Sequence, residues 1–113
     1  MLKKTFLALT LAALSFAAHA DMRTVTEAFE VGLNDFRAPG ADNGTLAMRP
    51  CSDCDFETLR VTSQTRYSIN GEALTLSDFR QALQTARSKS ESIVIVSHSV
   101  DSDTVKAVSA SIK

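Results

Sequence analysis

The chain has 113 residues, with 12 Lys+Arg against 13 Asp+Glu and a formal charge of -1. That length holds one small domain and excludes a TIM barrel or a two-domain enzyme. A composition 44% hydrophobic and 22% charged is that of an ordinary globular chain, and the absence of a basic excess argues against nucleic acid as the partner.

Residues 1–20 read as a secretory signal peptide. Lys3 and Lys4 form the basic start, Thr5 to Ala18 the apolar stretch, and Ala18-His19-Ala20 the small-x-small cleavage pattern. The apolar run is short of the ~20 residues that span a bilayer. Residues 21–113 are then expected to form a single small domain, periplasmic or secreted, with His98 as its one histidine. Loss of the leader takes away two lysines and no acid, so the mature charge becomes more negative.

In chain order, residues 22–37 have helical spacing: Val25, Phe29, Leu33 and Phe36 recur on one face with Met22, and Thr24 with Glu27 fits a capping box. The breaker run Ala38 to Gly44 ends that element. Thr45 to Arg49 reads as a short strand stopped by Pro50, and the Cys51–Cys54 loop follows. Residues 57–62 and 65–69 alternate as strands. Asn70-Gly71 is a hairpin signal, because both residue types tolerate positive φ, and Ala73 to Thr75 returns from it.

Residues 76–88 carry an apolar stripe of Leu76, Phe79, Leu83 and Ala86, with Thr75 and Asp78 as caps, and predict a second helix. Ile93 to Val96 is a continuous β-branched run, expected to be a central strand covered on both faces. Asp101 to Asp103 would start a third helix with Val105, Val108 and Ile112 on its inner stripe. The expected fold is α+β: a small sheet with a β-hairpin, about three helices packed on it, and one CxxC loop. Residues 72–96 could form a βαβ crossover with parallel strands.

Cys51-Ser-Asp-Cys54 is the one motif with chemical specificity. In an exported chain an even cysteine count points to a disulfide between Cys51 and Cys54, with a small stabilising effect because the loop is short. A thioredoxin-type redox pair needs a thiolate held at a helix N-terminus, but Asp53 and Asp55 flank Cys54 and only Arg49 offsets them. Metal binding would add His98, Asp53 or Asp55 to the two thiolates, without a second CxxC. Haem attachment requires a histidine at position 55, which is Asp.

Ser97, His98, Ser99 and Asp101 allow a Ser/His/Asp set on paper. Their place after a strand reads more simply as turn and cap residues. Arg60, Arg66, Arg80 and Arg87 alternate with Glu57, Glu72 and Asp78, the pattern of a solvated mixed surface. Thr58, Thr62, Thr65 and Ser68 fit strand propensity as well as glycan contact.

Tyr67-Ser-Ile-Asn-Gly71, Leu74-Thr-Leu-Ser-Asp-Phe-Arg-Gln-Ala-Leu83, Ile93-Val-Ile-Val96 and Asp101 to Ile112 together resemble the periplasmic domain of the ExbD/TolR family. The resemblance covers residues 66–112 and lies in the order of apolar positions. It implies an α+β fold with helices on one sheet face and an envelope role through contact with a protein or peptidoglycan. It carries over no functional residue. The family's membrane helix bears an Asp, which residues 1–20 lack, and the cysteine loop is not part of the pattern.

The functional expectation is a small exported, non-catalytic accessory or binding protein of the cell envelope, steadied by a local disulfide and docking through its sheet edge or hairpin. It would have no catalytic, cofactor or metal site, no nucleic-acid partner and no stable membrane insertion. The alternative is a thiol-redox or metal-handling protein acting through Cys51 and Cys54.

Overall fold

The computed structural model describes residues 25–113. The expected leader, its expected cleavage site and the start of the first expected helix lie outside the described residues. From Val25 onward the fold is mostly β, which corrects the expectation of about three helices on a sheet. Eight strands form two sheets, with one α-helix and two short 3-10 turns among the described residues. The strands are β1 (Thr26–Gly32), β2 (Phe36–Arg37), β3 (Thr45–Met48), β4 (Glu57–Arg60), β5 (Arg66–Ile69), β6 (Glu72–Leu74), β7 (Ile93–Ser99) and β8 (Thr104–Ser111). The helix α1 is Leu76–Leu83.

The larger sheet has the order β1-β7-β8-β5-β6, and the smaller one β2-β3-β4. Only β5 and β8 pair in parallel; every other pairing is antiparallel. It follows that β6 and β7 run in the same direction, as a βαβ unit would require. They are not neighbours, however: β5 and β8 lie between them.

Where a helix is expected over 22–37, residues 26–32 form β1, paired along its whole length with β7. Val25, Phe29 and Leu33 are spaced by four, and four is a multiple of the strand period as well as close to one helical turn. Val31 distinguishes the two. It is buried, whereas on a helix it would stand about 200° from Phe29, at 100° per residue.

The third expected helix is β8. Its register places Ser97 opposite Ala107 but His98 opposite Val105, so Lys106 is an extra residue, a β-bulge. The bulge shifts the alternation by one residue. Val105 and Val108, three apart, therefore both face the core, which gives a strand the apolar spacing of a helix.

The hairpin and α1 form where their local chemistry requires. Asn70 (φ 49°) and Gly71 (φ 88°) both adopt the left-handed backbone of a two-residue turn. The Asn70 side chain accepts a hydrogen bond from Ile112 N at 3.0 Å, tying the hairpin to the end of β8. Thr75 Oγ1 accepts from Asp78 N at 3.2 Å and caps α1. The helix stops at Leu83, before Arg87. Beyond it, Arg87 N and Ser88 N both donate to the Lys113 carbonyl, at 2.7 and 2.8 Å. Those bonds hold the chain end against the loop and take donors that would otherwise be free to serve a longer helix.

One apolar core joins all the layers. Leu76, Phe79 and Leu83 of α1 pack with Tyr67 and Ile69 of β5, with Val94, Val96, Val105 and Val108, and with Phe36, Leu46 and Met48 of the smaller sheet. Phe79 is fully buried at the centre, its ring 5.1 Å from that of Tyr67 and 6.5 Å, edge-on, from that of Phe36.

Candidate functional site

Cys51 and Cys54 lie in the loop between β3 and β4, with their sulfurs at disulfide distance and their Cα atoms 5.1 Å apart. Cys54 N donates to Cys51 O at 3.1 Å, so the backbone already turns back on itself. Both stems of the loop are fixed. Before it, Arg49 Nε and Nη2 donate to Asp35 Oδ1 at 3.1 and 2.6 Å. After it, the Phe56 ring lies under the guanidinium groups of Arg37 and Arg49, at 4.3 and 5.1 Å.

This arrangement bears on the readings of the motif. Cys51 opens a turn and not a helix, so no helix dipole faces its sulfur. Arg49, the cation expected to offset the neighbouring acids, is engaged by Asp35. Among the described residues no group of three or more His, Cys, Asp or Glu is placed to hold a metal.

His98 is brought to a different partner set from the one its neighbours in sequence propose. Along β7 successive side chains alternate, so Ser97 and Ser99 point away from the face that buries His98. The imidazole, only 8% exposed, places Nε2 3.0 Å from Asp103 Oδ1 and Nδ1 3.9 Å from Glu27 Oε2. Among the described residues no serine joins it, so Ser97 and Ser99 form no Ser/His/Asp relay with it there. Asp103 and Glu27 carry no sequence signal for this role. Glu27 reaches it because β1 pairs with β7 and sets Glu27 opposite His98.

Arg60, Arg66, Arg80 and Arg87 are spread over β4, β5, α1 and the loop after it. Of the hydroxyl residues singled out on the strands, Thr65 is buried and structural. Its Oγ1 donates to Val105 O at 2.7 Å and accepts from Thr62 N at 3.0 Å.

The strongest candidate for contact with another molecule is the outer face of the larger sheet. The other face of that sheet meets the core. β7 is interior, as its apolar run implies, but it is covered on one side only: Val94 and Val96 are buried, while Ile93 and Ile95 are 37% and 38% exposed. An antiparallel strand with one solvated face normally places polar residues on it. Here the outward positions of β7 begin with two isoleucines. Their cross-strand neighbours are small: Gly32 and Ser111 flank Ile93, and Ser109 stands on one side of Ile95. The isoleucines therefore stand above their surroundings, with Glu30 of β1 as the charged residue beside Ile95. Among the described residues β1 is also an edge, with no strand on its outer side.

No family, curated protein or solved structure matches this chain. Among the described residues no helix is long and apolar enough to cross a membrane.

Proposed function

We propose that this chain is a small exported accessory protein of the cell envelope that acts by binding and not by catalysis. Its docking surface is the outer face of the larger sheet, centred on Ile93 and Ile95. The observation that carries the reading is the exposure of these two side chains on the outer face of the sheet, above the small cross-strand neighbours Gly32, Ser109 and Ser111. Burying exposed apolar area drives association, at about 25 cal/mol per Å². The partner is an envelope protein with an apolar patch to cover the isoleucines and a basic residue to meet Glu30. The leader-like residues 1–20 and the resemblance of residues 66–112 to the ExbD/TolR periplasmic domain support an envelope setting. The Cys51–Cys54 pair serves as a structural staple, because its loop is fixed on both sides and presents no helix end to activate a thiol.

The test is photo-crosslinking in cells that export the full chain. A photoreactive residue is placed at Ile95, with a control at Arg80 on α1. The reading expects a discrete adduct with another envelope protein from position 95 and none from position 80. Failure to crosslink at position 95, or identical adducts from both positions, contradicts it.

A further inference from the structure

A second surface lies at the opposite end of β7 from Ile93, where the loop before β5 meets the β7–β8 turn. An open groove of about 830 Å³ runs there between residues 62–66 and 99–107. Its lining is rich in hydroxyls, contributed by Thr62, Ser63, Ser99, Ser102 and Thr104, with Gln64 adding an amide. Among the described residues its lining includes two cations, Arg66 and Lys106, and no acidic residue. Arg66 stands at the start of β5 and Lys106 is the extra residue of the β8 bulge. Among the described residues neither has a carboxylate within ion-pair distance.

We infer that this groove binds a saccharide carrying a carboxylate. The floor is fixed before any ligand arrives. Thr65 joins the loop to β8 through Val105 O, and Ser102 Oγ and Thr104 Oγ1 bond to each other at 2.8 Å. The Thr62 and Ser99 hydroxyls accept backbone N–H groups, from Gln64 at 3.2 Å and from Ser102 at 3.4 Å, so each keeps its own O–H to donate. Hydroxyls that both donate and accept match the alternating hydrogen-bonding edge of a sugar. The Arg66 guanidinium can take a carboxylate with two parallel N–H donors, and Lys106 adds a point charge. Ala107 supplies a small apolar patch for the C–H face of a ring. Among the described residues no aromatic side chain lines the groove, so they offer no platform for stacking a nucleotide base. The volume falls within the usual range for small-ligand sites, roughly 300–1,000 Å³.

The test titrates the whole mature protein, labelled for amide NMR, with glucuronic, galacturonic, sialic and N-acetylmuramic acids and disaccharides containing them. Each is matched to its methyl ester or neutral counterpart, and inorganic phosphate is run alongside. The expected result is that at least one acidic sugar shifts the amides of residues 62–66 and 99–107, while its neutral counterpart and phosphate bind far more weakly. Lys106→Gln, checked by thermal melting to fold as the parent does, should weaken that sugar about tenfold, the usual order for one charge-assisted hydrogen bond. Added salt should weaken it further. Silence across the acidic panel, equal binding of acid and ester, phosphate binding as tightly as any sugar, or shifts confined to other residues each overturns the inference. None of these outcomes alters the crosslinking expected at Ile95.

Discussion

Nε2 of the buried His98 lies 3.0 Å from Oδ1 of Asp103, a residue whose own backbone is held at φ 55°. A carboxylate can only accept, so Nε2 carries a proton in this bond. Nδ1 is buried with no hydrogen-bond partner among the described residues, with Glu27 across the strand pair at 3.9 Å. The bond spans the β7–β8 turn and holds it against the corner where β1, β7 and β8 meet.

That relationship gives the first prediction. Asp103→Asn keeps both an oxygen acceptor and a residue type that tolerates the left-handed backbone, so urea denaturation should show only a small loss of stability. Asp103→Ala loses the acceptor and adds backbone strain, and should cost about 1–3 kcal/mol. Equal losses for the two variants would show that the His98 bond contributes nothing.

Tyr67 supplies the second. Its hydroxyl is buried with no hydrogen-bond partner among the described residues. Burial, and then the negative charge of Asp42, push its pKa above the usual tyrosine value of 10.0. With the folded value raised, the neutral form is favoured in the native state. The corresponding stability is fully present below pH 10 and is lost as pH rises through the folded value. Tyr67→Phe removes an unsatisfied hydroxyl and should leave neutral-pH stability equal or higher. It should also flatten the loss of stability above about pH 10 when denaturation is followed against pH. A clear destabilisation at neutral pH would mean that the hydroxyl has a partner after all.

The third concerns the cysteines. Their loop is among the shortest a disulfide closes, so replacing both with serine should cost roughly 2 kcal/mol or less on loop-entropy scaling. The Arg49–Asp35 pair and the arginines over Phe56 hold the stems without help from the sulfurs. The double variant should therefore fold and keep its contact at Ile95. A variant that folds normally and loses that contact would favour the thiol-based alternative.

How far the sequence disclosed this fold depends on how each element is specified. The Asn70-Gly71 hairpin and the Thr75 cap were legible because single residues dictate their geometry locally. β1 was hidden because apolar residues four apart satisfy two periods at once, and only its pairing with β7 decides between them. β8 was hidden by Lys106: one inserted residue converts strand alternation into an apparent helical stripe at Val105 and Val108. The cysteine pair was legible by spacing, but its surroundings were not, since Asp35 and Phe56 come from separate elements. Glu27 and Asp103 around His98, and the groove shared by residues 62–66 and 99–107, are likewise made by tertiary pairing. The exposed isoleucines were misread because an uninterrupted β-branched run looks the same whether one face or both are covered.

The most direct test of the docking face separates binding from folding. Ile93→Thr with Ile95→Thr keeps β-branched residues in an exposed strand face, so the backbone preference is retained while the apolar surface is lost. Stability should be measured by urea denaturation and partner contact by crosslinking from a probe placed beside the pair, at Ser109. Stability should stay within about 1 kcal/mol of the parent, and the partner adduct should be lost. An undiminished adduct, with the protein still folded, would contradict it.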